Sequence, residues 1–232
     1  MTQPQEVKSA ERGSVTRDAL ARAGLAVLQR DGLDALSMRA VAAELGVRAP
    51  SLYWHVRSKE ELLDLLGDAL MLAAAPDLPV RSGDWRTDLG AIAWGFREFL
   101  RVRRDAVRVL AGRFLHGPGM WTVMEQQLEV LHDAGFSRQD ATLASYTLGI
   151  TVTGFMLNEQ AAVSAAEAEG RLGRRAAVDE IADLIEGLPA DRYPHLVASA
   201  RAMAGPDMDE RFRFVVDRFL DGLEALPRTL PT

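Results

Sequence analysis

The sequence predicts an all-α protein: a three-helix head at the N-terminus, a connector helix, and a larger helical body. Apolar residues recur at three- and four-residue spacing along nearly the whole chain, and no run alternates with period two as a half-buried strand would. Thr, Ser and Asp stand where helices should begin, and Gly or Gly-Pro pairs stand where they should end. The chain has 232 residues, 48% of them hydrophobic, which is enough to fill a sizeable core.

The first helix starts at Thr16, whose hydroxyl suits an N-cap, and sets Leu20, Ala23, Gly24, Val27 and Leu28 on one face before Asp31-Gly32 stops it. A second follows Ser37 and ends at Leu45-Gly46. A third, very short, opens on Pro50, which has no amide to leave unpaired, and closes near Val56. Ser58 and Glu61 then have capping-box spacing ahead of an apolar helix that runs through Leu72. The break at 75–79, with Arg-Ser-Gly after it, is short, so this fourth helix is expected to act as a rigid connector. From Asp84 a new series begins, with helices expected at 84–103, 105–114, 119–134, 138–163, 176–187, 193–203 and 207–225. Residues 164–175 should be the least ordered part. The chain thus divides into a flexible arm at 1–15, a head at 16–60 and a body at 61–232.

Composition narrows the function. There is no cysteine, which excludes disulfides and thiolate metal sites, and His55, His116, His132 and His195 show no metal-ligand spacing. No cofactor is called for. Nucleophile elbows, phosphate-cradling glycine loops and His-Glu-x-x-His pairs are all missing, so catalysis is not expected. Met1–Ser14 is polar and charged, and no stretch approaches the roughly 20 apolar residues of a membrane span; together these predict a cytoplasmic protein without a membrane partner. The net charge of -6 argues against nucleic acid only on average. Residues 1–60 carry nine Lys or Arg against seven Asp or Glu, which leaves a net -8 on the remainder. One end alone is suited to phosphates, with the body repelled from them.

The segment from Ser37 to Val56 has the design of a helix-turn-helix. Two short helices can cross at about 90–120° only if a small residue permits close approach, which Ala42 does, and if the turn admits a left-handed residue, which Gly46 does. Val41, Leu45, Val47, Leu52 and Val56 then share a miniature core. Pro50, Ser51, Tyr53, Trp54 and His55 are left facing outward, and two large rings make an odd solvated face. They suit DNA: a hydroxyl, a phenol and an imidazole reach phosphate oxygens or base edges, and Pro50, Ala49 and the ring carbons can touch thymine methyls. A helical adaptor that offers the same aromatic face to a protein partner is the alternative; binding to duplex DNA that weakens steeply with salt separates the two.

Gly32 to Arg39, Leu45-Gly46-Val47, Pro50 to Val56, Ser58-Lys59 and Leu62-Leu63-Asp64 together resemble the N-terminal signature of the tetracycline repressor (TetR) family almost position by position. The resemblance implies that Arg39 reaches a guanine edge or a phosphate, that Ala49, Pro50, Ser51 and Tyr53 lie at the groove, and that Trp54, His55 and Lys59 contact the backbone. Arg48 joins this set as a basic residue beside the turn. Ala49 departs from the polar residue tetracycline repressors carry there, so the resemblance does not carry their operator sequence across.

Beyond the head, Ser82 to Trp85, Arg104-Asp105, Glu125 to Leu128, Gly135-Phe136-Ser137 and Gly154 to Gln160 are similar to the regulatory domain of the same family. That similarity implies a homodimer on double-stranded, palindromic operator DNA and release by a small-molecule effector. Its four-helix interface would use 138–163 and 207–225, the latter through Phe212, Val215, Val216, Phe219, Leu220 and Leu223. Candidate effector contacts, beneath the fourth helix, are Phe96, Leu110, Arg113, Trp121, Met124, Gln127, Thr142, Tyr146 and Asn158. Leu110 and Asn158 stand where tetracycline repressors carry a metal-binding histidine and a partner-chain acid. The resemblance therefore implies no metal, and an effector that is largely apolar or aromatic.

Overall fold

The computed structural model describes residues 15–75, 81–168 and 173–228, and all of its regular elements are helices. They are α1 (Arg17–Asp31), α2 (Met38–Glu44), a 3₁₀ helix (Ala49–Trp54), α3 (Lys59–Ala74), α4 (Trp85–Arg101), α5 (Ala106–Leu110), α6 (Pro118–Asp133), α7 (Arg138–Ala168), α8 (Gly173–Glu186), α9 (Pro194–Ala204) and α10 (Met208–Glu224). The chain divides into two compact units, with the boundary between Leu66 and Gly67, inside α3.

The predicted starts are made by the predicted side chains. Thr16 Oγ1 accepts from Ala19 N–H at 3.1 Å and Ser37 Oγ from Ala40 N–H at 3.2 Å. Ser58 Oγ accepts from Glu61 N–H at 3.1 Å, but the return bond of the box is shifted by one residue, with Glu61 Oε2 accepting from Arg57 N–H at 2.7 Å. At the start of α4 the Asp84 carboxylate accepts from both Thr87 N–H and its hydroxyl, and the hydroxyl bond first of all lowers the Asp84 pKa.

Several boundaries differ from the sequence expectation, each for a local reason. The third helix is 3₁₀ over 49–54: with few residues between the Gly46 turn and His55, it closes on i to i+3 bonds, Arg48 to Ser51 and Leu52 to His55, both at 2.9 Å. The helix expected at 105–114 ends at Leu110, because Ala111 is extended and Gly112 adopts φ +71°. Of the segment expected to be least ordered, 164–168 continue α7 and 173–175 open α8; the other four residues lie outside the described residues. So do 1–14 of the expected arm and 76–80 of the break.

In the first unit, Leu20, Val27, Leu36, Val41, Leu52, Val56, Leu62 and Leu66 form one core at 0–1% exposure. Gly24 lets α1 take the Leu66 side chain, since a Cβ there would fall 2.6 Å from Leu66 Cδ2. In the second unit, α4 packs on α6, α7 and α10, and α8 packs chiefly on α9. Arg97 is sealed at the α4–α7–α10 junction, 4% exposed. It bonds Glu159 with two nitrogens, at 3.0 and 2.9 Å, and Asp209 at 2.7 Å, with its guanidinium over the rings of Trp94, Phe155 and Phe212. Burial works against the cation, but those carboxylates outweigh it and raise its pKa.

Candidate functional site

The turn between α2 and the 3₁₀ helix is a Schellman motif. Gly46 at φ +66° turns the chain, while its N–H bonds Ala43 O at 3.1 Å and Val47 N–H bonds Ala42 O at 3.0 Å, which satisfies two otherwise orphaned carbonyls. The chain then enters the 3₁₀ helix with Leu52 inward, at 0% exposure. Tyr53 and Trp54 point out, at 52% and 90%. Val56, fully buried, anchors the far end, and Arg17 of α1 donates to His55 O at 2.7 Å, which fixes that end from outside.

Around this segment the structure leaves Arg39, Arg48, Pro50, Ser51 and Lys59 exposed and Ala49 and His55 half-buried. Arg39, Arg48 and Lys59 carry no ion pair among the described residues. Arg30, by contrast, is consumed by Asp31 and Glu44, whose hydrogen bonds raise its pKa. The nine residues expected to meet DNA thus belong to one short stretch of one unit, with uncommitted cations on both sides of an aromatic tip.

The expected effector contacts are less unified. Leu110 and Gln127 are buried, and Phe96, Arg113 and Met124 are half-buried. Gln127 Oε1 accepts from Ser145 Oγ at 2.6 Å, inside the second unit. Trp121, Thr142, Tyr146 and Asn158 are instead exposed, and Thr142 spends its hydroxyl on Arg138 O at 2.8 Å. A groove of about 840 Å³ between α7, α9 and α10 includes Asn158, Phe155, Phe214 and Val215, so it shares only Asn158 with the effector set.

The α10 stripe needs correcting. Phe212, Val216, Leu220 and Leu223 are buried within the single chain, where Phe212 meets Trp94 and Phe155 edge-on at 4.9 Å. They bind α10 to α4 and α7 and are not a free interface; Val215 and Phe219, half-buried, lie at the stripe's edge. Among the described residues of α7 and α10, the large apolar side chains left open are others: Leu143, Tyr146 and Ile150 on α7, at 55%, 64% and 52%, and Phe214 on α10. The signal for it was present, since α7 is apolar on both sides and such a helix is normally covered on both.

Comparison with known proteins agrees with this geometry. Residues 20–66 match the family model of bacterial regulatory proteins, tetR family, and residues 76–226 match that of the tetracyclin repressor-like C-terminal domain. The chain is 37% identical over 155 residues to the class C tetracycline repressor of Escherichia coli, covering 66% of this chain and 70% of the relative. It is 33% identical over 219 residues to the HTH-type transcriptional repressor DrrR1 of Streptomyces coeruleorubidus, covering 92% and 78%. Its fold is similar to that of Streptomyces coelicolor ActR in complex with actinorhodin, with a TM-score of 0.78, 28% identity and coverage of 91% and 96% of the two chains.

Proposed function

The chain belongs to the tetracycline repressor family of ligand-responsive, DNA-binding transcriptional regulators, and from that premise we propose that it is a cytoplasmic, non-catalytic repressor that holds a palindromic operator as a homodimer and leaves it when a small molecule binds. The observation that carries this is the 3₁₀ helix, where Leu52 at 0% exposure stands next to Trp54 at 90%. An exposed indole on a rigidly anchored tip is costly unless something covers it, and a DNA groove rimmed by Arg39, Arg48 and Lys59 supplies the cover. Pro50, Ser51 and Tyr53 meet base edges or methyls there, and Lys59 and His55 set the register.

In a two-fold dimer the two tips, about 34–36 Å apart, enter successive major grooves. The outward face of α7, with Leu143, Tyr146 and Ile150, forms the seam. Asn158, exposed on the same helix, is then lent to the partner's effector site, whose interior side is made by Leu110, Met124 and Gln127. A lining of this kind favours a largely aromatic effector bound without metal. ActR, which binds actinorhodin, is a similar protein with a ligand of that character.

The test is binding to a duplex selected from a randomised pool by the protein itself. Replacing Tyr53 and Trp54 together with Ala should weaken that binding at least a hundredfold without altering thermal stability, since neither ring is in the core. Unchanged affinity would eliminate the 3₁₀ helix as the recognition element.

A further inference from the structure

α6 begins without a cap of its own. Its N-cap residue is Gly117, which has no side chain, and its first residue is Pro118, which has no N–H. The cap comes from another helix: the Asp68 carboxylate on α3 accepts a hydrogen bond from Met120 N–H at 3.1 Å. Glycines make the room. A Cβ on Gly117 would fall 2.3 Å from Asp68 Cγ, and one on Gly119 would fall 2.1 Å from Asp68 O and 2.6 Å from Leu72 N. The second clash is with backbone, so no side-chain rotation relieves it. Just before Asp68, a Cβ on Gly67 would fall 2.8 Å from Leu115 Cδ2. Three glycines and one carboxylate therefore bring the C-terminal half of α3 against the segment 115–120, all within the second unit.

We propose that Asp68 and Gly119 are the joint through which the second unit is coupled to the DNA-reading unit. α3 runs unbroken from Lys59 to Ala74, across the boundary at Leu66–Gly67, so whatever holds its C-terminal half bears on the helix that enters the first unit. The start of α6 carries the positive end of the helix dipole and favours a carboxylate. If the segment 111–119 moves, either α3 follows it or Asp68 departs and α6 loses its cap. Leu110 and Arg113, both effector candidates, lie at and within this segment. Asp68 is a positioning residue, acting through α3 and touching neither ligand. The proposal rests on the reading of the first unit as the DNA-binding one.

Coupling between two sites is reciprocal, so the test needs no effector. Hydrogen exchange of peptides covering 111–124 is measured in the full-length protein, with and without a duplex it has selected from a randomised pool. DNA should slow exchange there severalfold in the unsubstituted protein. Asp68→Ala should abolish that DNA-dependent change while still binding DNA, and Gly119→Ala, which forces the helices apart, should do the same. Asp68→Asn, whose amide oxygen still accepts from Met120 N–H, should restore most of it. The joint is refuted if DNA binds and 111–124 does not respond, if Asp68→Ala keeps the full response, or if Asp68→Asn fails as Asp68→Ala does. A protein that selects no duplex at all overturns the DNA-binding reading instead.

Discussion

At the level of single residues, Gly46 fixes where the 3₁₀ helix points. Its φ of +66° lies in the left-handed region, and a Cβ there would meet nothing within 4 Å. The cost of a side chain is therefore purely conformational. Gly46→Ala should destabilise the protein by about 1 kcal/mol, the usual penalty for a left-handed L-residue, and Gly46→Asn by less, because Asn tolerates that region. Urea denaturation of the two variants checks the order; equal losses would mean that contact, and not backbone conformation, selects glycine here. This residue was legible in the sequence, because a glycine directly after Leu45, at the expected end of the second helix, is where the turn of a helix-turn-helix needs a left-handed residue. Asp68 was not. Its carboxylate lies 52 residues from the amide it caps, and no local pattern announces a cap supplied by a different helix.

At the level of elements, the Arg97 cluster fastens α4 to α7 and α10. Removing one partner of a buried ion pair strands the other, so Arg97→Ala should cost about 3 kcal/mol, the low end for such pairs because Asp209 is 66% exposed. Replacing both Arg97 and Glu159 with Met should cost less than half as much, since the apolar pair keeps the packing against Trp94, Phe155 and Phe212. A double variant as unstable as the single one would show that the charges themselves are required. The cluster also explains why the α10 stripe misled. A stripe at helical spacing says that one face is covered, and Phe212, Val216, Leu220 and Leu223 are covered by their own chain. Periodicity carries no label for whose surface does the covering. The helices themselves were legible because caps such as Thr16, Ser37 and Asp84 are local, whereas the stop at Leu110, short of the expected end at 114, depended on the extended Ala111 and the left-handed Gly112.

For the whole molecule, the division of labour predicted from charge and from the head motif assigns DNA to the first unit and assembly to the second. On the proposed reading, assembly falls to the outward face of α7. Tyr146 and Ile150 are exposed in one chain, so replacing both with Asp should leave the folded chain intact by circular dichroism. In a dimer the same carboxylates would be driven into an apolar seam, and sedimentation should show monomers. A monomer grips one half-site where the dimer grips two, so loss of the linked second contact should lower operator affinity by about a hundredfold or more. The single-tip contact would remain, with its salt dependence reduced because fewer phosphates are neutralised. A Tyr146→Asp/Ile150→Asp protein that still sediments as a dimer would move the seam off this face of α7 and onto the surface around Phe214 of α10, a helix that packs against α7 and leaves that ring exposed.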